Sequence, residues 1–218
     1  MATIRQLIFA GRYPEAQELA GEKILSKNGF GMPYQTVGSL RLDFPGHENY
    51  INFRRELDLE KAVATTAYTV NGVDYKREVF TSFVDQLVIV RLTASQPGKL
   101  TFSASLTCPQ KVDVTVSGKN ALILEGTTKG DDFTKGAIRF RADLKLDLQS
   151  GKSVAGDTLL SVTNANSATI YIAMATNFVN YKDISGNPSE RNKISMKNAG
   201  KELCPSFTGS YQCIYKKY

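Results

Sequence analysis

Histidine, the side chain that most often acts as a general acid or base, is scarce in this sequence. The chain of 218 residues contains a single histidine, His47, inside the turn-like run Pro-Gly-His-Glu-Asn, and we interpret it as a solvated loop residue. A serine–histidine–aspartate triad needs a histidine beside the nucleophile, and the Gly-x-Ser-x-Gly elbow does not occur. We therefore assign no catalytic residue.

Two short runs match parts of binding motifs, and both fit turns better. Residues 151–153 read Gly-Lys-Ser, the end of a phosphate-binding loop, but that motif needs a glycine where Leu146 stands. Residues 131–132 are adjacent aspartates after a glycine, a pattern typical of a solvated turn and more rarely of a cation site.

The cysteines do not predict a metal site. Cys108, Cys204 and Cys213 show no Cys-x-x-Cys spacing, and a zinc site would need further ligands that one histidine cannot supply. An odd number leaves at least one cysteine unpaired within the chain, so the redox compartment stays open. We expect no metal and no cofactor.

A hairpin is the clearest local prediction. Asn71-Gly72 lies between two β-rich runs, and both residues tolerate the positive φ of a type I′ turn, so residues 63–70 should pair with residues 73–81. A two-residue loop fixes the register and places one mostly apolar row on one face: Val70 opposite Val73, Tyr68 opposite Tyr75, Thr66 opposite Arg77, and Ala64 opposite Val79.

Arg77 is the charged exception in that row, and a charge on an inward face needs a partner. Glu56 and Asp58, on one face of the preceding strand, are the nearest acids in the sequence. The favoured hypothesis is a structural ion pair of Arg77 with these carboxylates. The alternative is a sugar-binding role for Arg77 together with Tyr34 and Arg54.

The hydrophobic period divides the chain into three parts. A helical pattern, with Pro14 at the start of its second helix, predicts a helical segment over residues 1–30. About ten short strands with turns between them predict an antiparallel β-sandwich over residues 31–180. Asn187-Pro188 begins a further helix expected to run to about Leu203, within a C-terminal helical linker at 181–218. The fold class is therefore all-β, with an N-terminal helical hairpin and a C-terminal helix.

Charge and hydropathy exclude some partners. Of the net charge of +6, +4 comes from residue 182 onward, and the remaining body has no basic stripe interleaved with aromatic residues, so we expect no nucleic acid. No run of eighteen apolar residues occurs, so we expect no membrane span. The apolar patch near the start is too short for a signal peptide.

Several blocks in order resemble the N-terminal β-sandwich of glycoside hydrolase family 95, the α-L-fucosidases, also called the family 65 N-terminal-like domain. They are IRQLIFAGRYPEAQELA, YQTVGSLRLDF, FRRELDLEKAVATTAYTV and YKREVFTSFVDQLVIVRLTA, with weaker matches through NANSATIYIAMATNFVNYKD. The resemblance covers nearly the whole chain.

This resemblance implies an antiparallel super-β-sandwich that packs against a catalytic (α/α)6 barrel domain, which hydrolyses terminal α-linked L-fucose, or L-galactose, with inversion. The family's opening strands would precede Ile4, and its barrel would follow the linker; both are expected to be missing here. Export to the periplasm or extracellular space is implied in the same way. The sandwich is thus expected to be non-catalytic.

Two alternatives remain beside this hypothesis. A carbohydrate-binding module would hold a glycan itself, although the absence of tryptophan weakens that case. A structural module would contact a partner domain, and it should expose a large apolar patch on one sheet.

Overall fold

The computed structural model describes residues 1–24, 34–131 and 134–197. The chain divides into two compact units: residues 1–35 with 129–136, and residues 36–128 with those from 137 onward. The predicted end of the C-terminal helix near Leu203, together with Cys204, Cys213 and Asp132, lies outside the described residues.

The described part of the first unit contains two helices, α1 (Ala2–Phe9) and α2 (Tyr13–Lys23). Gly11 lies between them with φ of +73°, a conformation that glycine adopts without strain. Pro14 occupies the first turn of α2, where its missing N–H costs nothing, and Glu15 there pairs with Arg12. The predicted helical hairpin is confirmed over these residues.

Within its described residues, the second unit contains twelve strands and one helix. The strands are β1 (Ser39–Asp43), β2 (Ile51–Asp58), β3 (Val63–Val70), β4 (Val73–Ser82), β5 (Leu87–Ala94), β6 (Leu100–Thr107), β7 (Val112–Ser117), β8 (Ala121–Thr127), β9 (Arg139–Gln149), β10 (Lys152–Ala155), β11 (Leu159–Ala165) and β12 (Ser167–Thr176). The helix α3 (Pro188–Met196) follows them.

These strands form two antiparallel sheets of unequal size. The smaller sheet has the order β1-β6-β11-β10, and the larger has the order β2-β3-β4-β5-β12-β9-β8-β7. Side chains of both sheets meet in one apolar core, which includes Phe102 and Leu160 from the smaller sheet and Leu144 and Ile170 from the larger. The predicted β-sandwich is confirmed. We call the core-facing side of each sheet its inner face.

The hairpin at Asn71-Gly72 has the predicted register. Both turn residues have positive φ, +50° and +73°, as a type I′ turn requires. All four predicted pairs of β3 and β4 occur, including Thr66 opposite Arg77. The Gly-Lys-Ser run is a turn followed by a strand, because Gly151 has φ of +80° and Lys152 begins β10.

The outer face of the larger sheet carries α3. Asn187 caps this helix by accepting hydrogen bonds from the backbone N–H groups of Ser189 and Glu190, and Pro188 follows at the first helical position, as predicted. Met196 packs on a second apolar cluster that contains Ile89. The middle of β12, Ile170 to Ala173, is therefore buried on both faces, as its apolar sequence predicts.

Candidate functional site

His47 lies in a cluster of aromatic rings rather than in solvent. Its ring centroid is 4.4 Å from that of Tyr75 and 5.3 Å from that of Phe44, and its Nδ1 shares a 2.9 Å hydrogen bond with the Tyr68 hydroxyl. The prediction of a solvated loop residue is wrong. The loop folds back over β3 and β4, whose tyrosines provide an apolar surface for the imidazole ring.

We call this group the aromatic cluster; it consists of Phe44, His47, Tyr50, Phe53, Tyr68, Tyr75 and Phe102. Burial lowers the pKa of His47, with a smaller opposite influence from Glu48. The histidine therefore favours its neutral form. Its ring is held by packing and by the hydrogen bond with the Tyr68 hydroxyl.

Arg77 lies on the inner face of β4 beside this cluster. Its guanidinium carbon is 5.4 Å from the centroid of the Phe44 ring, a cation–π distance. Its Nε is buried and has no hydrogen-bond partner in the described part of the chain. Burial lowers the pKa of Arg77, and the positive charge of Arg55 lowers it further, while Tyr68 opposes the shift.

The predicted ion pair of Arg77 with Glu56 and Asp58 does not form. Successive residues of a strand point to opposite faces, and Arg55 is the β2 residue level with Thr66 and Arg77. Glu56 and Asp58 therefore point to the outer face.

On that outer face each carboxylate has another partner. Glu56 pairs with Arg54 at 2.6 Å, and Asp58 pairs with Lys61 at 2.9 Å. The register between β2 and β3 determines which face of the sheet carries Glu56 and Asp58. The sequence of the β2–β3 connection, unlike Asn71-Gly72, carries no turn signal that fixes it.

The sugar-binding candidates are not brought together by the larger sheet. Arg54 lies on the outer face of β2, whereas Arg77 lies on the inner face of β4, so one ligand cannot contact both across the sheet. Tyr34 belongs to the first unit and is 96% exposed. A single site containing Arg54 and Arg77 is thus excluded, while each residue singly stays a prediction.

A cleft of about 350 Å³ opens between the two sheets beside Arg77. Leu40 and Leu42 of β1 form one wall, and Val79, Val90 and other apolar residues of the larger sheet form the floor. Arg77 is the charged residue among those that line it. The cleft can therefore hold apolar groups and one anionic or carbonyl oxygen.

A second depression, of about 480 Å³, lies at the end of the larger sheet and is lined by Thr69, Asp74 and Ser95, among others. Its polar groups are largely committed to each other. The Thr69 hydroxyl donates to an Asp74 carboxylate oxygen at 2.7 Å, and the Ser95 hydroxyl oxygen accepts from the Asp74 backbone N–H at 2.9 Å. Asn52, whose φ is +55°, lies at a bulge in β2 on the rim.

The loop with adjacent aspartates is a turn at its described end. The Asp131 carboxylate accepts a 2.6 Å hydrogen bond from the Thr134 N–H, and the Asp131 N–H donates to the Thr134 carbonyl at 2.9 Å. Residues 1–24, 34–131 and 134–197 contain no group of three or more histidine, cysteine, aspartate or glutamate side chains that could hold a metal ion. No helix within those ranges is long and apolar enough to cross a membrane.

Sequence reasoning missed the aromatic cluster. The signal was present in the run from Phe44 to Phe53, which contains three aromatic residues and the only histidine. The turn at Pro45 and Gly46 interrupts this run, so its apolar residues follow neither the period of 2 that indicates a strand nor the period of 3.6 that indicates a helix. The cluster therefore could not be recognised from hydrophobic periodicity. The inward row of the hairpin, by contrast, was predictable from alternation alone.

The geometry defines a β-sandwich domain of two antiparallel sheets. Residues 1–181 match the family described as glycosyl hydrolase family 65, N-terminal domain. The chain belongs to this family, and the resemblance expected from the sequence blocks is confirmed.

The chain is also similar to parts of two longer proteins. It is 30% identical to alpha-L-fucosidase 2 of Arabidopsis thaliana over 248 aligned residues, which cover all of this chain and 29% of that protein. A putative kojibiose phosphorylase from the human microbiome has the same fold, with a TM-score of 0.50 and 14% identity over 82% of this chain and 27% of that one. The chain thus spans under a third of each protein's length.

Proposed function

We propose that this chain is the non-catalytic sandwich domain of a glycoside hydrolase that resembles α-L-fucosidases. In this proposal it supports hydrolysis of terminal α-linked L-fucose, or L-galactose, by an (α/α)6 barrel domain outside these 218 residues. The observation that carries the proposal is the 30% identity along the entire chain to an alpha-L-fucosidase of which it covers 29%.

The side-chain arrangement supports the non-catalytic part of this proposal. Glycoside hydrolysis ordinarily needs two carboxyl groups that flank the scissile bond and remain available to it. In the sandwich, Glu56 and Asp58 are paired with basic side chains, and Asp143 is held by Arg141 and Asn192. The lone histidine, which is partly buried, packs against Phe44 and Tyr75 in the aromatic cluster. Action on glycans in the periplasm or outside the cell belongs to the same proposal.

Turnover by the purified chain tests this assignment. We expect 4-nitrophenyl α-L-fucoside and its α-L-galactoside counterpart to be hydrolysed no faster than in buffer, because the proposal places the catalytic acid and base in the barrel domain outside these residues. Hydrolysis that saturates with substrate and follows the protein through purification would contradict the proposal.

A contact role with a partner domain is the second candidate, and one observation favours it. Apolar side chains of β2 on the inner face are exposed, Phe53 by 51% and Leu57 by 62%, where a sandwich usually buries them. A glycan-binding role has weaker support, since its candidates Arg54 and Arg77 occupy opposite faces of the sheet. Calorimetric titration with fucosylated oligosaccharides would separate the two, because only a glycan-binding module gives saturable heat.

A further inference from the structure

The depression of about 480 Å³ at the end of the larger sheet opens on its outer face, which is the side away from the apolar core. The side chains on this face that the argument concerns are those of Asn52, Ala67, Thr69, Asp74, Thr93 and Ser95. We call this group the outer-face depression. All of it lies within the second unit of the chain.

The outer-face depression owes its shape to one small side chain between two long ones. Ala67 of β3 is level with Arg54 of β2 on one side and with Lys76 of β4 on the other. Each of these basic side chains pairs at 2.6 Å with the glutamate two residues further along its own strand. Both glutamates are level with Thr65, so the two long side chains lean towards Thr65 and leave the space over Ala67 open.

Hydrogen bonds orient the polar groups of the outer-face depression and leave them further capacity. The Thr69 hydroxyl donates to one Asp74 carboxylate oxygen at 2.7 Å, and the Ser95 hydroxyl oxygen accepts from the Asp74 N–H at 2.9 Å. A carboxylate has about four lone-pair sites, and a hydroxyl that accepts still has its own proton to donate. Asp74 can therefore accept from a ligand, and Ser95 can donate to one.

An irregularity in β2 brings an amide to the same place. The register of β2 with β3 shifts between Ile51 and Arg54, and Asn52 in this bulge has φ of +55°. A bulge re-aims a side chain, and asparagine tolerates a positive φ better than most residues. The Asn52 amide donates to the Thr69 hydroxyl at 3.4 Å. Its carbonyl oxygen and its second N–H can bind a ligand.

The chemistry of the outer-face depression fits a ligand without net charge that carries neighbouring hydroxyl groups. The two charged residues that line it, Asp74 and Lys76, have opposite signs. Donors and acceptors lie side by side there, and a hydroxyl group is able to meet both. Ala67 adds an apolar floor for C–H groups. The volume lies within the range of small-molecule sites, roughly 300–1,000 Å³.

We propose that the outer-face depression binds a neutral sugar residue of a glycan. Asp74 accepts hydrogen bonds from neighbouring sugar hydroxyls, Asn52 and Ser95 bind a further hydroxyl, and the C–H groups of the ring lie on Ala67. Arg54 borders this site, whereas Arg77 lies on the opposite face of the sheet. The inference goes beyond the proposed function, because it assigns binding to the sandwich itself and involves no bond cleavage.

Titration of the isotope-labelled chain, followed by nuclear magnetic resonance, tests the proposal. The ligands are methyl α-L-fucoside, methyl β-D-galactoside and methyl α-D-glucoside, with cyclohexanol and sodium glucuronate as controls. We expect at least one methyl glycoside to shift the backbone amide resonances of Thr69, Asp74 and Ser95 and to saturate in the millimolar range, because a small ligand on an open face gains few contacts. Cyclohexanol has no neighbouring hydroxyls and should give no saturable shift.

Two pairs of matched variants locate the site. Asp74→Asn should weaken binding of that glycoside about tenfold, because hydrogen bonds to a carboxylate are charge-assisted, whereas Asp58→Asn on the same face should leave it unchanged. Ala67→Leu should fill the floor and abolish the saturable shift, whereas Thr65→Leu, two residues away on the same face of β3, should not. The melting transitions of all four variants are compared, so that a loss of folding is recognised.

Four outcomes would overturn the proposal. The first is the absence of a saturable shift with all three glycosides. The second is an equal response to cyclohexanol, which would indicate an unspecific apolar surface, and the third is tighter binding of glucuronate, which would indicate an anion site. The fourth is binding that survives in folded Asp74→Asn and Ala67→Leu, which would place the sugar elsewhere. None of these outcomes bears on the proposed function, because that is tested by turnover.

Discussion

At the scale of single residues, His47 shows how packing sets a charge state. Its ring is surrounded by Phe44, Tyr68 and Tyr75, and this burial lowers its pKa from the ordinary value of 6.5. As the pH falls, His47 therefore binds a proton in the unfolded chain at pH values where it is still neutral in the folded chain. Protonation of His47 therefore favours the unfolded chain.

The sign of the resulting pH dependence follows from that order of pKa values. The contribution of neutral His47 to stability is fully present above about pH 6.5 and is lost as the pH falls toward the lower pKa of the folded state. We expect the melting temperature to fall between about pH 7.5 and pH 5, and to fall less in His47→Phe, which keeps the ring without the titration. Equal slopes for the two proteins would show that other groups cause the change.

Arg77 is a second ionisable residue whose pKa is lowered by burial. A buried guanidinium without a carboxylate is ordinarily unfavourable, and the stacking on Phe44 offsets only part of that cost. The sequence predicted the inward position of Arg77 correctly, because the Asn71-Gly72 turn fixes the hairpin register. It could not predict the partner, since that depended on the pairing of β2 with β3.

At the scale of elements, Arg141 joins β8, β9 and α3. Its guanidinium donates to Glu125 on β8 at 2.8 Å and to Asp143 on its own strand at 2.7 Å. The Asn192 side chain of α3 is 1% exposed and donates to the same Asp143 carboxylate at 2.6 Å and to the Arg141 carbonyl. The alternation along β9 predicted a polar outer face; it did not reveal that a helix covers this face.

Separate substitutions of Arg141 and Arg77 test the partners assigned to these two arginines. Arg141→Met should lower the free energy of unfolding by about 3 kcal/mol, because it leaves the partly buried Asp143 without its cation. Arg77→Met should change it by less than about 1 kcal/mol, or raise it, because no ion pair is lost. Urea unfolding of the two variants measures both values. A larger loss in Arg77→Met than in Arg141→Met would contradict the assigned partners.

At the scale of the whole molecule, local patterns were enough for the strands, their turns and the fold class, and insufficient for the sheet order and the site. Period-2 alternation, the Asn71-Gly72 turn and the Asn187-Pro188 cap predicted strands, register and helix start, because each depends on neighbours in sequence. The aromatic cluster, the cleft and the order of the eight strands depend on contacts between distant segments. Neither sheet order nor the open inner face can be derived from single-strand patterns.

The unequal sheets suit a domain that works within a larger protein. The inner face of β2 exposes Phe53 by 51% and Leu57 by 62%, and within the described ranges β1 pairs with β6 alone. This exposed surface supports the contact role with a partner domain, whereas the proposed glycoside hydrolase role rests on the identity to the fucosidase.

The most direct test of the supporting role is a chimera with the Arabidopsis alpha-L-fucosidase. Its matched part, 29% of that protein, is replaced by this chain, and the initial rate on 4-nitrophenyl α-L-fucoside is measured beside the same protein lacking that part. We predict that the chimera hydrolyses the fucoside and that the deleted protein does not. A chimera that melts cooperatively yet gives no hydrolysis above buffer, or a deleted protein as active as the chimera, would contradict the account.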